Sequence, residues 1–216
     1  MAIQKMAVIG CGQMGLGIAE SAAAAGIQVV AVKLTPGDLG KPQKTVLKGL
    51  EKRVEKGKLS AEARDGIVSR LRFSADLADI RDAELVIESC VEDFEQKADV
   101  LKRVEAELAP GAILAANTSS LRLSDLAARL AHPERFLALH FFNPVPAMKL
   151  VEVSATSRTS EAHTAAASAF CKQIDKTPVL IQDTPGYVVN RLLVPYMLHA
   201  IETLEHGVAE AEAIDT

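Results

Sequence analysis

The sequence has few cysteines, no excess of positive charge and no long apolar run, and each absence removes a class of function. Its three cysteines, Cys11, Cys90 and Cys171, are odd in number, widely spaced and without a C-x-x-C pair. That argues against a disulfide framework or a metal site and suits a reducing compartment. A formal net charge of −4 gives no general attraction to nucleic acid or to an anionic membrane. No apolar run approaches the ~20 residues of a membrane span. Residues 1–6 lack the charged-then-apolar layout of a secretory leader. Internal repeats and low-complexity segments are missing too. The expectation is a cytoplasmic protein that needs neither nucleic acid nor membrane as a partner. What is there is ordinary for a globular chain: 216 residues and 23.0 kDa, 49% hydrophobic and 24% charged, enough for one large domain or one plus a fragment.

Met6-Ala7-Val8-Ile9 is a short, wholly apolar run that stops at glycines, as a buried parallel strand would. Residues 13–25 are helical in composition, Gly26 supplies a stop, and Val29-Val30-Ala31-Val32 reads as a second buried strand. The first 32 residues therefore predict a βαβ unit. Helices are expected over 44–58, from Ser60 as a cap, over 92–108, 121–130 and 161–172. Strands are expected near 72–74, 84–88, 112–116, 136–141, 149–153 and 179–181. This alternation predicts an α/β, Rossmann-type domain with a mostly parallel sheet. Asp183-Thr184-Pro185-Gly186 is the best boundary, giving a unit over 1–184 and the start of an all-helical unit over 185–216. Residues 187–205 predict a helix kinked at Pro195, with apolar residues on two adjacent faces. Such a helix wants cover from a second subunit or from further helices of the same domain.

Gly10-Cys11-Gly12-Gln13-Met14-Gly15 fits G-x-G-x-x-G and sits between a strand and a helix, where a dinucleotide needs it. Gly10 permits the tight turn, Gly12 lets backbone approach a pyrophosphate, and Gly15 lets helix and strand pack closely. The carboxylate that would hold an adenosine ribose belongs at the end of the second strand, but Lys33 stands there. Two readings remain: Lys33 pairs with the 2′-phosphate of NADP, or it points to solvent while another group holds the ribose of NAD.

His140 and Glu152 lie symmetrically about Pro146, on strand residues flanking Asn143-Pro144-Val145-Pro146. If the chain folds back there, the carboxylate fixes one imidazole nitrogen and leaves the other as a base. That is what taking a proton from an alcohol requires while hydride leaves for a nicotinamide. The plainer alternative is a histidine satisfied by backbone beside a surface glutamate. Ser119 follows the fifth strand at the sheet's carboxyl edge, where open α/β sheets place ligands; it or Ser120 could equally cap the next helix. Asn190, Glu92 and Lys97 are, by position alone, compatible with ordinary helix-surface residues.

Taken together, Val8–Gly15, Asn117-Thr118-Ser119-Ser120, His140-Phe141-Phe142-Asn143-Pro144-Val145-Pro146, Lys149-Leu150-Val151-Glu152 and residues 183–191 resemble the L-3-hydroxyacyl-CoA dehydrogenases, including bacterial 3-hydroxybutyryl-CoA dehydrogenases. The resemblance implies that His140 is the general base and Glu152 its partner, with Ser119 and Asn190 holding the substrate oxygen. It implies cofactor contacts at Glu92, Lys97, Ser119 and Asn143 in addition to Gly10, Gly12, Gln13, Met14, Gly15 and Lys33, and a CoA phosphate near Lys56. It further implies an acyl-CoA substrate, NAD as the usual cofactor, and a homodimer where the helical domain is complete. Two departures stand out: Lys33 replaces the family's aspartate, which admits NADP, and the family's helical domain continues past the equivalent of Thr216. The same chemistry on an acyl-carrier thioester and a non-catalytic dinucleotide-binding relative are the alternatives. Sugar-nucleotide dehydrogenases fit worse, since Cys171 falls mid-helix without catalytic surroundings.

Overall fold

A computed structural model describes residues 2–216. Among these residues eight strands form one sheet, in the order β3-β2-β1-β4-β5-β6-β7-β8. The strands are β1 (Lys5–Ile9), β2 (Gln28–Val32), β3 (Leu71–Ser74), β4 (Leu85–Glu88), β5 (Ile113–Ala116), β6 (Phe136–Phe141), β7 (Leu150–Ala155) and β8 (Thr177–Gln182). All neighbours run parallel except β6 and β7. The central strands are largely apolar because both faces of the sheet are covered. Alternate residues divide between two cores: Met6, Val8, Leu85 and Ile87 pack on one side, Ala7, Ile9, Val86 and Leu114 on the other.

The first core is covered by α1 (Gln13–Ala24), α2 (Gly40–Glu55), α3 (Ala61–Arg70) and α6 (Glu161–Gln173). The second lies under α4 (Phe94–Glu107) and α5 (Leu123–Ala127). Strand order reverses between β1 and β4, so a crevice opens beyond their carboxyl ends. The loops after β1, β4 and β5 all reach that crevice, and they carry Gly10, Gly12, Glu92 and Ser119 among the residues singled out from the sequence.

Three helices differ from expectation. The helix expected over 121–130 is confined to Leu123–Ala127, because the Asp183 carboxylate, distant in sequence, takes the amides of Leu123 and Ser124 and fixes where it starts. The helix expected over 44–58 starts earlier, at Gly40, where Asp38 accepts the Gly40 amide and Pro42 falls in the first turn, the one place its missing N–H is harmless. The final long helix, α7 (Val189–Glu205), begins after Tyr187, whose φ of +46° lies outside the helical region. Pro195 lies inside α7 as expected, and Leu192, Tyr196, Met197 and Ile201 are exposed. A short helix, α8 (Ala211–Ile214), follows. Among the described residues no helix is long and apolar enough to cross a membrane.

Candidate active site

The three glycines of the first loop meet three different physical demands. Gly10 has φ +111°, and a Cβ there would lie 2.4 Å from the Ser89 carbonyl oxygen. At Gly15 a Cβ would lie 1.9 Å from the Gly10 carbonyl oxygen, so helix and loop touch through its bare backbone. At Gly12 a Cβ would meet nothing among the described residues within 4 Å. Gly12 also caps α1 with no side-chain hydrogen bond, leaving first-turn amides open to the crevice. Open space beside unpaired amides at a helix start fits a pyrophosphate.

A contrast between two variants follows. Gly12→Ala should fold normally and weaken dinucleotide binding roughly tenfold or more, about 1.4 kcal/mol. Gly15→Ala should lose stability at or beyond the ~1–3 kcal/mol typical of overpacking, because the clash is with backbone. Thermal melts beside cofactor titrations separate the two. A Gly12→Ala protein with unchanged affinity would remove the loop from the cofactor site.

Lys33 directly follows β2, and its ammonium turns back to donate to the carbonyls of Thr35 and Pro36 at 2.6 and 2.7 Å. It borders a cavity of about 420 Å³ with Gly10, Gly12, Thr35 and Cys90, and among the described residues no carboxylate lines that cavity. Asp38, the next carboxylate along the chain, accepts the Gly40 amide at the start of α2.

Next to this lies a buried ionic cluster. Lys97 is fully buried on α4, and its ammonium reaches both oxygens of Glu88 at 2.9 and 2.7 Å and Glu92 at 3.7 Å. Burial raises the Glu88 carboxyl above its ordinary range, opposed by Lys97 and by the Cys90 amide. Glu92 Oε1 accepts the Thr118 hydroxyl at 2.6 Å and the amides of Ser119 and Ser120 at 2.8 and 3.0 Å. Burial pushes Glu92 up, but these hydrogen bonds and Lys97 outweigh it and hold the carboxyl below its ordinary range. The resemblance placed Lys97 among the cofactor contacts; its ammonium stands behind Glu92 with no exposed surface. Neither Ser119 nor Ser120 caps α5, since both serve Glu92 and Asp183 takes the α5 amides.

His140 and Glu152 are register partners across the antiparallel β6–β7 pair. They fall on the face shared with Phe136 and Ala138, the side on which the second core lies. The His140 Nδ1 to Glu152 Oε2 distance is 2.7 Å, with His140 7% and Glu152 1% exposed. A carboxylate only accepts, so Nδ1 carries the proton and Nε2 is left as an acceptor. The other oxygen, Oε1, accepts the amides of Val188 and Val189 at 2.9 Å each. Asn117 Oδ1 accepts the Phe141 amide at 3.1 Å and ties β5 to the end of β6.

A cavity of about 540 Å³ brings eight of the predicted residues together: Gly12, Gln13, Met14, Glu92, Ser119, His140, Asn143 and Asn190. Gln13 donates to Asn143 across it at 3.0 Å. Lys56 is not brought in; it caps the far end of α2 and is exposed. Sequence reasoning missed Glu88, Asn117 as a tie, and the Val188 and Val189 amides. Glu88 had a signal, an acid ending an otherwise apolar strand, whereas backbone donors leave none.

The family profile described as 3-hydroxyacyl-CoA dehydrogenase, NAD binding domain, matches residues 5–184. The chain belongs to the 3-hydroxyacyl-CoA dehydrogenase family. The profile of the C-terminal domain of 3-hydroxyacyl-CoA dehydrogenase matches residues 186–216. A 3-hydroxybutyryl-CoA dehydrogenase of Mycobacterium tuberculosis is 41% identical over 216 residues, covering 99% of this chain and 76% of the relative. The mitochondrial hydroxyacyl-coenzyme A dehydrogenase of Rattus norvegicus is 42% identical over 220 residues, covering 99% of this chain and 70% of the relative. Among solved structures, the (S)-3-hydroxybutyryl-CoA dehydrogenase of Ralstonia eutropha superposes with a TM-score of 0.93 at 35% identity, covering 98% of this chain and 75% of that one. As a 3-hydroxyacyl-CoA dehydrogenase family member, the chain is an oxidoreductase with a dinucleotide-binding unit of the NAD type.

Proposed function

We propose that the chain catalyses reversible oxidation of a short (S)-3-hydroxyacyl-CoA, of the 3-hydroxybutyryl-CoA kind, to the 3-oxoacyl-CoA. The observation that carries this reading is the 2.7 Å contact between His140 Nδ1 and Glu152 Oε2, on a cavity shared with Ser119, Asn190 and the glycine loop. Glu152 keeps the proton on Nδ1, so Nε2 accepts the proton of the 3-hydroxyl. Ser119 and Asn190 hold that oxygen, which orients the alcohol for transfer. Gly10, Gly12, Gln13, Met14 and the free amides of α1 hold the pyrophosphate, with Gly15 packed beneath them. Glu92, Ser119 and Asn143 flank the nicotinamide end, Lys97 supports Glu92 from behind, and Lys56 serves the CoA phosphates. When bound, the nicotinamide supplies the hydride acceptor. Residues 1–184 form the dinucleotide unit and 185–216 the first part of a helical unit whose exposed apolar face on α7 serves homodimerisation.

Steady-state rates with (S)-3-hydroxybutyryl-CoA and acetoacetyl-CoA, read by reduced-cofactor absorbance, test the reaction. Cofactor binding without turnover on either thioester would overturn it.

NADP is accepted beside NAD in this reading, because a lysine stands in the place of a ribose-binding carboxylate and the cavity it shares with Gly10 and Thr35 holds no acid among the described residues. Releasing its two loop carbonyls would free Lys33 for a 2′-phosphate. Lys33→Asp should raise the NAD-to-NADP preference roughly tenfold, about 1.4 kcal/mol of changed charge interaction. An unchanged ratio of kcat/KM values would mean that Lys33 stays on its loop and reads neither cofactor.

A further inference from the structure

His140 is held by more than its carboxylate. Its ring meets two aromatic rings, Phe142 at 4.5 Å and Tyr187 at 5.4 Å between centroids, tilted by 57° and 49°. Phe142 comes from the end of the same strand run, whereas Tyr187 arrives from the turn between β8 and α7. That turn is pinned on both sides. Upstream, Asp183 takes the amides of Leu123 and Ser124 at 2.9 and 2.8 Å. Downstream, the Val188 and Val189 amides take Glu152 Oε1. Between the pins Tyr187 sits at φ +46°, a left-handed conformation that is unfavourable for a bulky side chain.

Tyr187 belongs to the second core, but core filling alone does not call for a left-handed backbone, since an ordinary conformation would fill a core without strain. The hydroxyl does not account for it either. Tyr187 is 3% exposed and, among the described residues, its hydroxyl finds no hydrogen-bond partner, so the polar end is a liability. The ring against His140 remains.

We propose that Tyr187 is a positioning residue for the general base: its ring closes one side of the His140 imidazole and keeps Nδ1 on Glu152 while Nε2 faces the substrate. Histidine χ2 is broad and two-fold, so a ring with free space beside it can turn over, which puts ring carbons where Nδ1 and Nε2 had been. The claim rests on His140 being the base, and two variants with two readouts test both levels. Tyr187→Gly adopts the left-handed backbone without penalty, so the turn and its amides to Glu152 stay while the ring is lost. Tyr187→Phe keeps the ring and drops the unpartnered hydroxyl.

For Tyr187→Gly, kcat on (S)-3-hydroxybutyryl-CoA should fall roughly 10–10²-fold, the range for a misplaced reacting group, with KM and cofactor Kd unchanged. Tyr187→Phe should rescue kcat. Independently of turnover, the downfield Nδ1 proton of His140 should be sharp in the parent chain and in Tyr187→Phe, and broadened by exchange in Tyr187→Gly. A sharp proton and full kcat in Tyr187→Gly would overturn the proposal. So would a Tyr187→Phe chain as slow as the glycine variant. Absent turnover in the parent, with the proton still lost only in Tyr187→Gly, would sustain the positioning role and sink the acyl-CoA reading. Circular dichroism checks folding; if Tyr187→Gly does not fold, Tyr187→Asn, which also tolerates a left-handed backbone, replaces it.

Discussion

His140→Gln is expected to lower turnover by ~10²–10⁴-fold, the range for losing a general base, while cofactor affinity stays nearly unchanged. Glutamine is close in reach to histidine, and its amide nitrogen can donate to Glu152 Oε2 as Nδ1 does now. The buried carboxylate therefore keeps a partner, and Val188 and Val189 still hold its other oxygen. What glutamine lacks is a basic atom where Nε2 was. Steady-state kinetics beside a cofactor titration would separate these effects. A large loss of cofactor affinity would show that His140 contacts the dinucleotide and that the proton goes elsewhere.

The second large effect concerns stability. Lys97→Met should cost about 3–5 kcal/mol, the range for leaving one member of a buried ion pair unpaired. Both side chains of the Lys97–Glu88 pair are 0% exposed, so water cannot replace the missing ammonium. Burial already raises the Glu88 carboxyl above its ordinary value of 4.5, and Lys97 is the largest influence opposing it. Without Lys97 the folded chain would take up a proton on Glu88 that the unfolded chain does not hold near neutral pH. The loss should then deepen by up to ~1.4 kcal/mol per pH unit above the unfolded value. Urea unfolding at several pH values measures this, and adding Glu88→Gln should recover much of the loss and flatten its pH dependence. A Lys97→Met chain of unchanged stability at every pH would mean that Glu88 is hydrated after all.

Much of the fold was legible because the sheet is covered on both faces. Runs such as Met6–Ile9 and Ile113–Ala116 can be little else when bounded by glycine, proline and polar turns. The glycine loop was legible to the level of each residue, since tight turn, open approach and close packing make separate demands that Gly10, Gly12 and Gly15 meet. Spacing about a proline bend left the histidine–glutamate pairing open beside a plainer alternative; the resemblance chose it, and the β6–β7 register makes it. Contacts made over long sequence separation were not legible. The extent of α5 depends on Asp183, 60 residues from Leu123. Lys97 reads as a helix-surface cation until the sheet places Glu88 beneath it. Lys33 was read as reaching for a phosphate or for solvent; that its ammonium donates to two loop carbonyls is something no charge pattern announces.

The antiparallel return of β7 has a consequence for how the chain tolerates change. Along both strands the side chains alternate between opposite sides, so a one-residue shift turns every one of them over. Extra residues in the bend between 142 and 149 would lengthen a loop and leave His140 opposite Glu152. One extra residue within either strand would swing its reactive side chain to the far side of the sheet, among the aliphatic neighbours of Leu139 and Val153. For this register, added length is thus silent at the tip of the ribbon, where Asn143 and the buried Val145 set their own limits, and ruinous along its arms, even where the inserted residue is itself an excellent strand former.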